Sequence, residues 1–342
     1  MNPSGPIPFW LGFVPSLLYS IGIRSINRGY DRGKSVITLD RPVISVGNLS
    51  VGGTGKTPLS IHMLRWLFEA GHQPALAMRG YGSSDGSQSD EARLYARELP
   101  DLDIVARPDR LTGLFELLGT ERGESIDCIL LDDGFQHRKI ARQFDVLLID
   151  ARHPPMNDRL LPAGWLREPF SSVKRADAVV ITHADSPGAA SEIKLAVESH
   201  GAHPIFAASR HVWTQVSCHA AGETRIDPVD SLRGKSVVAT CAIARPDGFI
   251  SRLKQFASVR DSLILRDHDP YAASTVSRLL SLAREHRAHA IVCTAKDWSK
   301  LSKVNHTLWP CPVIVPELQL RFDSGEAELK ERLLQVAATP VE

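Results

Sequence analysis

Residues 42–60 read PVISVGNLSVGGTGKTPLS, and the succession of residue types in this stretch decides the fold. Val43 to Val46 is a short, mostly apolar run of the kind that parallel sheets bury on both faces. It enters a turn containing Gly52, Gly53, Thr54 and Gly55, followed by Lys56-Thr57 and a segment with Leu59, Met63, Leu64, Leu67 and Phe68 at helical spacing. Gly71 ends that segment in C-cap fashion. Strand, glycine-rich turn, Lys-Thr and helix is the layout of a phosphate-binding P-loop. Backbone N–H groups and the helix N-terminus wrap a polyphosphate, Lys56 neutralises it and Thr57 ligates Mg²⁺. The strict G-x-x-x-x-G-K-[ST] spacing asks for glycine where Ser50 stands, but three glycines remain for close backbone approach.

Working outward, Pro74 to Met78 reads as a strand running into Arg79-Gly80-Tyr81-Gly82, and Asp90-Glu91 open a helical segment through Leu99. Three apolar strands follow, Cys128 to Leu131, Val146 to Ile149 and Ala178 to Ile181, ending in Asp132-Asp133, Asp150 and Thr182. Carboxylates at strand C-termini lie where doubly wound sheets bind ligands. A second α/β series begins at Ser236, with strands at 236–239, 262–265, 290–293 and 313–315, helices at 248–256 and 272–286, and a final helix at 324–336. The expected architecture is α/β: a P-loop NTPase-like, doubly wound, mostly parallel sheet, a second and smaller α/β domain, and an N-terminal membrane-contacting helix. The expected boundaries are 1–33 for the membrane-associated segment, 34–209 for the P-loop core domain, 210–235 for an interdomain linker with a two-stranded pattern, and 236–342 for the C-terminal α/β domain.

The chain has 342 residues, too many for one small core, which fits two domains. Its net charge of +1 provides no global field for nucleic acid, so an anionic partner must be held by local cations. The five cysteines are scattered and form no C-x-x-C pair, which argues against a disulfide framework or zinc site and for a reducing compartment. Gly5 to Ile23 carries no charge and is followed by Arg24, Arg28, Arg32 and Lys34. The basic flank follows the apolar run, so this is not a secretory signal, and Pro6, Pro8 and Pro15 oppose a straight spanning helix. An uncleaved segment in contact with a membrane, basic flank on the cytoplasmic side, is the expectation.

Cys128 to Gly134, CILLDDG, has the form of a Walker B strand, whose terminal carboxylate holds Mg²⁺ opposite the P-loop threonine. Asp267-His268-Asp269 follows a strand of the second domain, and an Asp with a His can hold a proton acceptor for attack on phosphorus. A nucleotide switch of the GTPase type is the rival reading. Guanine recognition wants Asn-Lys-x-Asp, whereas the corresponding strand end reads Thr182-His183-Ala184-Asp185.

In this order and approximate spacing, VGNLSVGGTGKTP (46–58), RGYG (79–82), LDDGFQHRKI (131–140), DVLLIDARHP (145–154), DRLLPAGWLREP (158–169) and DHDPY (267–271) resemble the lipid A tetraacyldisaccharide 4′-kinases. The resemblance runs from the amino terminus to about Trp298. It implies an enzyme that moves the γ-phosphoryl of ATP to the 4′-hydroxyl of an acylated glucosamine disaccharide 1-phosphate lipid, giving lipid IVA. The setting it implies is the cytoplasmic face of the bacterial inner membrane, with Mg²⁺ as the metal, the membrane surface as a partner, no nucleic acid and a monomeric chain. Position by position, Asp90, His268, Lys56 and Arg167 match the catalytic set. Gly52, Gly53, Thr54, Gly55, Lys56, Thr57 and Arg110 match the nucleotide-binding set, and Thr57, Asp132, Asp133 and Glu91 the metal set. Arg79, Gln136, His137 and Glu168 match residues that touch substrate or phosphate. Two elements depart from the family pattern: Asp90 sits in Ser-Asp-Glu-Ala instead of Gly-Asp-Glu-Pro, and Thr294-Ala295-Lys296-Asp297 replaces Thr-Glu-Lys-Asp.

Overall fold

The computed structural model describes residues 6–7, 9–80, 90–184, 188–243, 246–267 and 269–341. In chain order its first elements are α1 (Phe9–Asp31), β1 (Val43–Asn48), α2 (Lys56–Glu69), β2 (Pro74–Met78), α3 (Asp90–Glu98), β3 (Asp103–Ala106), α4 (Arg110–Leu118), α5 (Glu121–Glu124) and β4 (Cys128–Asp132). Then come β5 (Phe144–Asp150), β6 (Ala178–Thr182), α6 (Ala189–Ser199), β7 (Ile205–Ala220) and β8 (Glu223–Pro228). The remainder is β9 (Ser236–Cys241), α7 (Pro246–Leu253), β10 (Ser258–Ile264), α8 (Ala273–Glu285), β11 (Ala290–Cys293), α9 (Ala295–Leu301), β12 (Val313–Ser324) and α10 (Glu326–Ala337). The chain divides into two compact units, Met1–His211 with Leu320–Glu342, and Val212–Gln319.

In the first unit the strands lie in the order β3-β2-β4-β1-β5-β6-β7, all parallel. Every residue of β1, β2, β4, β5 and β6 is buried, as expected where helices cover both faces. One face packs Leu59, Met63, Leu64 and Leu67 of α2 with Ile44 and Val46 of β1 and with Leu329 and Leu333 of α10. The other face gathers Phe135, Leu147, Ile149, Val179 and Ile181 with Ile193 and Val197 of α6. From β1 the chain first winds outward on one side to β2 and β3, comes back through β4, and then continues on the other side through β5. The strand order therefore reverses beside β1, and ligands of open α/β sheets sit at such a reversal. Register sets Val46 opposite Asp132, so the glycine loop and the acidic strand end leave the sheet side by side.

Gly47 is required by that closeness. A Cβ there would lie 2.6 Å from Phe135 Cβ and 2.7 Å from its backbone nitrogen. Gly47→Ala is therefore expected to overpack this point and cost about 1–3 kcal/mol, read as a lower midpoint in thermal or urea unfolding. An unchanged midpoint would show that the two strand ends can separate freely.

The second unit has β10, β9, β11 and β12 in parallel order, with β7 and β8 as an antiparallel ribbon pairing Gln215 with Pro228 through Ala220 with Glu223. Val237 and Ala239 face Phe249 and Leu253 of α7, while Val238 and Ile291 face Leu279 and Leu280 of α8.

Two boundaries differ from the sequence reading. The final helix was expected within a domain spanning 236–342, but Leu320–Glu342 groups with the first unit, because Leu329, Leu333 and Val336 of α10 bury themselves in the cluster around α2. The stretch 210–235 was expected to be a linker with a two-stranded pattern; β7 and β8 do pair there, but β7 runs unbroken for 16 residues and its later part belongs to the second unit with β8. Among the described residues no helix is long and apolar enough to cross a membrane. Helix α1 is nevertheless apolar where it meets solvent: Leu11, Phe13, Val14, Leu17, Leu18 and Ile21 are all more than half exposed.

Candidate active site

The loop after β1 reaches α2 through Gly55, which caps the helix in the left-handed conformation at φ 92°. A Cβ at Gly52 or Gly53 would meet nothing within 4 Å, so this backbone borders open space next to a helix N-terminus, as a polyphosphate cradle requires. The loop is braced from behind: Thr182 Oγ1 donates to the Thr54 carbonyl at 2.9 Å.

Lys56 and Thr57 are the first two residues of α2. Lys56 Nζ donates to Asn48 Oδ1 at 3.2 Å and lies 3.4 Å from Asp133 Oδ1. Asp132, the buried last residue of β4, accepts from the Tyr95 hydroxyl at 3.1 Å and from Ser60 Oγ at 3.5 Å. Asp133 follows in a left-handed conformation at φ 50°, which aspartate adopts more readily than most side chains. Its Oδ2 accepts from Arg167 Nη1 at 2.7 Å, and its carbonyl accepts from Arg110 Nη1 at 3.2 Å. Its Oδ1 is buried and, apart from the nearby ammonium, has no hydrogen-bond partner among the described residues.

Burial is the largest influence on both acids and raises both. Lys56, Arg167 and Arg110 together overcome it at Asp133 and hold that carboxyl below its usual range. At Asp132 burial prevails over Lys56 and Tyr95, and the neighbouring Asp133 adds to the upward shift. A hard dication fits here: it would supply the partner that Asp133 Oδ1 lacks, favour the ionised form of Asp132, and stand beside the open glycine lip.

Gln136 bridges the same group, donating from Nε2 to the Asn48 carbonyl at 2.9 Å and accepting at Oε1 from Arg167 at 3.2 Å. The His137 imidazole is pushed down to about 4, first by burial and then by Arg110, Arg142 and Lys139, so it is neutral near pH 7. Glu168 is buried, with both carboxylate oxygens engaged by Arg175 at 2.9 and 3.0 Å and one also by Asn27 at 2.7 Å. Arg79 is exposed just beyond β2, and Glu91 is exposed as the second residue of α3. The backbone of Asp90 opens α3, but its side chain lies outside the described residues, as does all of His268. Thus Lys56, Asp132, Asp133, Arg110, Gln136 and Arg167 form one bonded group, while the structure gives no geometry for the Asp90–His268 pair.

Residues 9–338 match the family described as tetraacyldisaccharide-1-P 4′-kinase, LpxK. The chain belongs to the tetraacyldisaccharide-1-P 4′-kinase family. Among this kinase family's members, the tetraacyldisaccharide 4′-kinase of Geobacter sulfurreducens is 37% identical over 327 residues, 90% of this chain and 88% of that one. That of Chlorobium limicola is 31% identical over 340 residues, 93% and 95% of the two chains. The crystal structure of LpxK from Aquifex aeolicus in complex with ATP superposes with a TM-score of 0.71 at 27% identity, covering 95% of this chain and 98% of that one.

Within this kinase the sequence reading gave no site role to Asn48, Tyr95, Thr182 or Arg175, all in contact with the loop, the acids or Glu168. Asn48 carried a usable signal, a polar amide closing an apolar strand directly before the glycine turn. Tyr95 carried none, because its partner Asp132 is 37 residues away and only the fold joins them.

Proposed function

We propose that this chain is an ATP-dependent lipid kinase that transfers the γ-phosphoryl of ATP to the 4′-hydroxyl of a tetraacyldisaccharide 1-phosphate in lipid A biosynthesis. The observation that carries the reading is the bonded group of Lys56, Asp133, Arg167 and Arg110 beside the open glycine lip, in a chain that matches the kinase family over nearly its whole length. When bound, Mg²⁺-ATP supplies the phosphoryl group and the dication that spreads its charge. Thr57, Asp132 and Asp133 would hold the metal, with Glu91 on the nearby helix start. Backbone amides from Gly52 to Gly55 bind the phosphates, and Lys56 and Arg110 neutralise them. Arg167, held by Asp133 and Gln136, is placed to meet equatorial oxygens as charge moves onto them. Asp90 and His268 are assigned the proton of the acceptor hydroxyl, and Arg79 and His137 contacts to substrate or phosphate.

The same reading sets the enzyme on the cytoplasmic face of the bacterial inner membrane, working as a monomer. It is supported by the exposed apolar residues of α1 and by exposed Arg24, Arg28, Arg32 and Lys34 at the helix's other end, a pattern suited to an anionic lipid surface. The deciding assay uses purified protein, labelled ATP and tetraacyldisaccharide 1-phosphate. A 4′-phosphorylated lipid is expected. Nucleotide hydrolysis with no lipid product from folded protein would refute the kinase and favour a nucleotide switch.

A further inference from the structure

Helix α1 has a second surface, and this one is polar and bonded. Ser16 Oγ donates to the Leu160 carbonyl and accepts from the Ala163 backbone N–H, each at 2.9 Å. The helix backbone rests directly on this loop: a Cβ at Gly12 would lie 2.9 Å from Ala163 Cα. Further along, the Tyr19 hydroxyl donates to the Arg167 carbonyl at 2.8 Å, and Asn27 Nδ2 donates to Glu168 Oε2 at 2.7 Å. Arg138 of the FQHR stretch fastens the end of the helix, donating to the Asn27 carbonyl at 3.2 Å and pairing with Asp31 at 2.7 Å. Arg167 in turn donates to Asp133. One short path, helix to Arg167 peptide to guanidinium to Asp133, therefore joins the exposed apolar side of α1 to the phosphate-binding group.

We propose that Tyr19 and Asn27 are positioning residues that fix the Arg167–Glu168 peptide against α1, so that seating the helix on a lipid surface sets the aim of Arg167 and raises turnover. This rests on the membrane-contacting, lipid-kinase reading above. Each residue acts through a bond to the segment that carries Arg167. Burial, with Glu168 adding to it and Arg167 opposing, raises the Tyr19 hydroxyl above its usual range. The two bonds differ in kind: one holds the Arg167 carbonyl, the other joins Arg175 in holding the Glu168 side chain, so loss of both loosens the peptide without removing any charge from the site.

The test compares wild type, Tyr19→Phe and Tyr19→Phe/Asn27→Ala, each assayed with the disaccharide lipid in neutral detergent micelles and in vesicles containing an anionic phospholipid. Wild type is expected to co-sediment with the vesicles and to turn over faster there than in micelles. Tyr19→Phe, which deletes one oxygen atom, is expected to lower kcat on vesicles on the order of fivefold. Its KM for ATP and vesicle co-sedimentation should stay unchanged, and its Tm should fall by no more than about 2 °C. The double variant should lose the vesicle-over-micelle advantage altogether. Unchanged kcat in both variants, with wild-type vesicle binding intact, overturns the positioning role. A fall in Tm matching the fall in kcat also overturns it, since it would show a purely structural role. Failure of wild type to bind vesicles strikes instead at the membrane-contact reading, and that outcome is recognisable before any variant is assayed.

Discussion

Lys56→Met is expected to lower kcat about a thousandfold while leaving the fold intact, the largest effect of any single change in this site. The ammonium is the cation of the first turn of α2, held by Asn48 Oδ1 at 3.2 Å and facing Asp133 Oδ1 at 3.4 Å. Methionine keeps most of the apolar stem and removes the charge. The position is half-buried, so charge developing on a transferring phosphoryl group would be compensated there in a low-dielectric setting, not by water. The variant also unbalances Asp133, whose carboxyl is held low in part by Lys56, so the acid should titrate higher in the nucleotide-free protein. The check is kcat with labelled ATP alongside a thermal melt. A loss below tenfold with an unchanged melt would mean that Lys56 stays away from the reacting phosphate.

Arg175→Met is expected to have the largest effect on stability, about 3–5 kcal/mol, or roughly 4–7 °C in Tm. Glu168 is only 1% exposed and both its oxygens depend on that guanidinium, which also lies 4.4 Å from the centre of the Phe135 ring. Removing the cation leaves a buried carboxylate with Asn27 and Gln136 as its remaining support. Adding Glu168→Gln should recover more than half of the loss, since a neutral amide needs no counter-ion. The pH dependence gives a second readout. In the wild type, burial raises the Glu168 pKa, but the bonds and charge of Arg175 outweigh it and the net value is lowered. Its stabilisation is therefore complete above the unfolded carboxylate range, about 4.3, and is lost as pH falls through the depressed native value. In Arg175→Met burial would dominate, and the deficit relative to wild type should narrow as pH drops from 7 to 5. A deficit constant with pH would show that Glu168 is not the group left exposed to burial.

The donor side of the site was legible because its chemistry is local in the chain. Glycines that permit a left-handed cap, a lysine and a hydroxyl must follow one another within six residues, and Gly52 to Thr57 do so. Asp132 and Asp133 were legible because a wholly apolar strand ending in two acids has few other uses beside such a loop. What stayed hidden depends on contacts across long separations. Tyr95 and Asp132, Asn27 and Glu168, and Thr182 and Thr54 are joined by sheet order and helix docking, neither of which leaves a periodic trace. Residues 211–217, HVWTQVS, alternate and lie in the expected linker. The alternation could not say that β7 is one continuous strand, because half-buried strands and extended connections share that pattern. Likewise the amphipathic pattern of α10 fixes which residues are buried but not against which partner.

The placement of α10 also bears on how the protein comes into being. The helix that follows the phosphate loop is α2, and the apolar cluster around it includes Leu329, Leu333 and Val336. Synthesis therefore produces the nucleotide-binding half of the sheet first and leaves one side of its central helix uncovered while the whole of Val212–Gln319 is made. The second unit, continuous in sequence, can complete its own core before the first one closes. The helix that follows the phosphate loop thus gains its final support from one translated some 270 residues later.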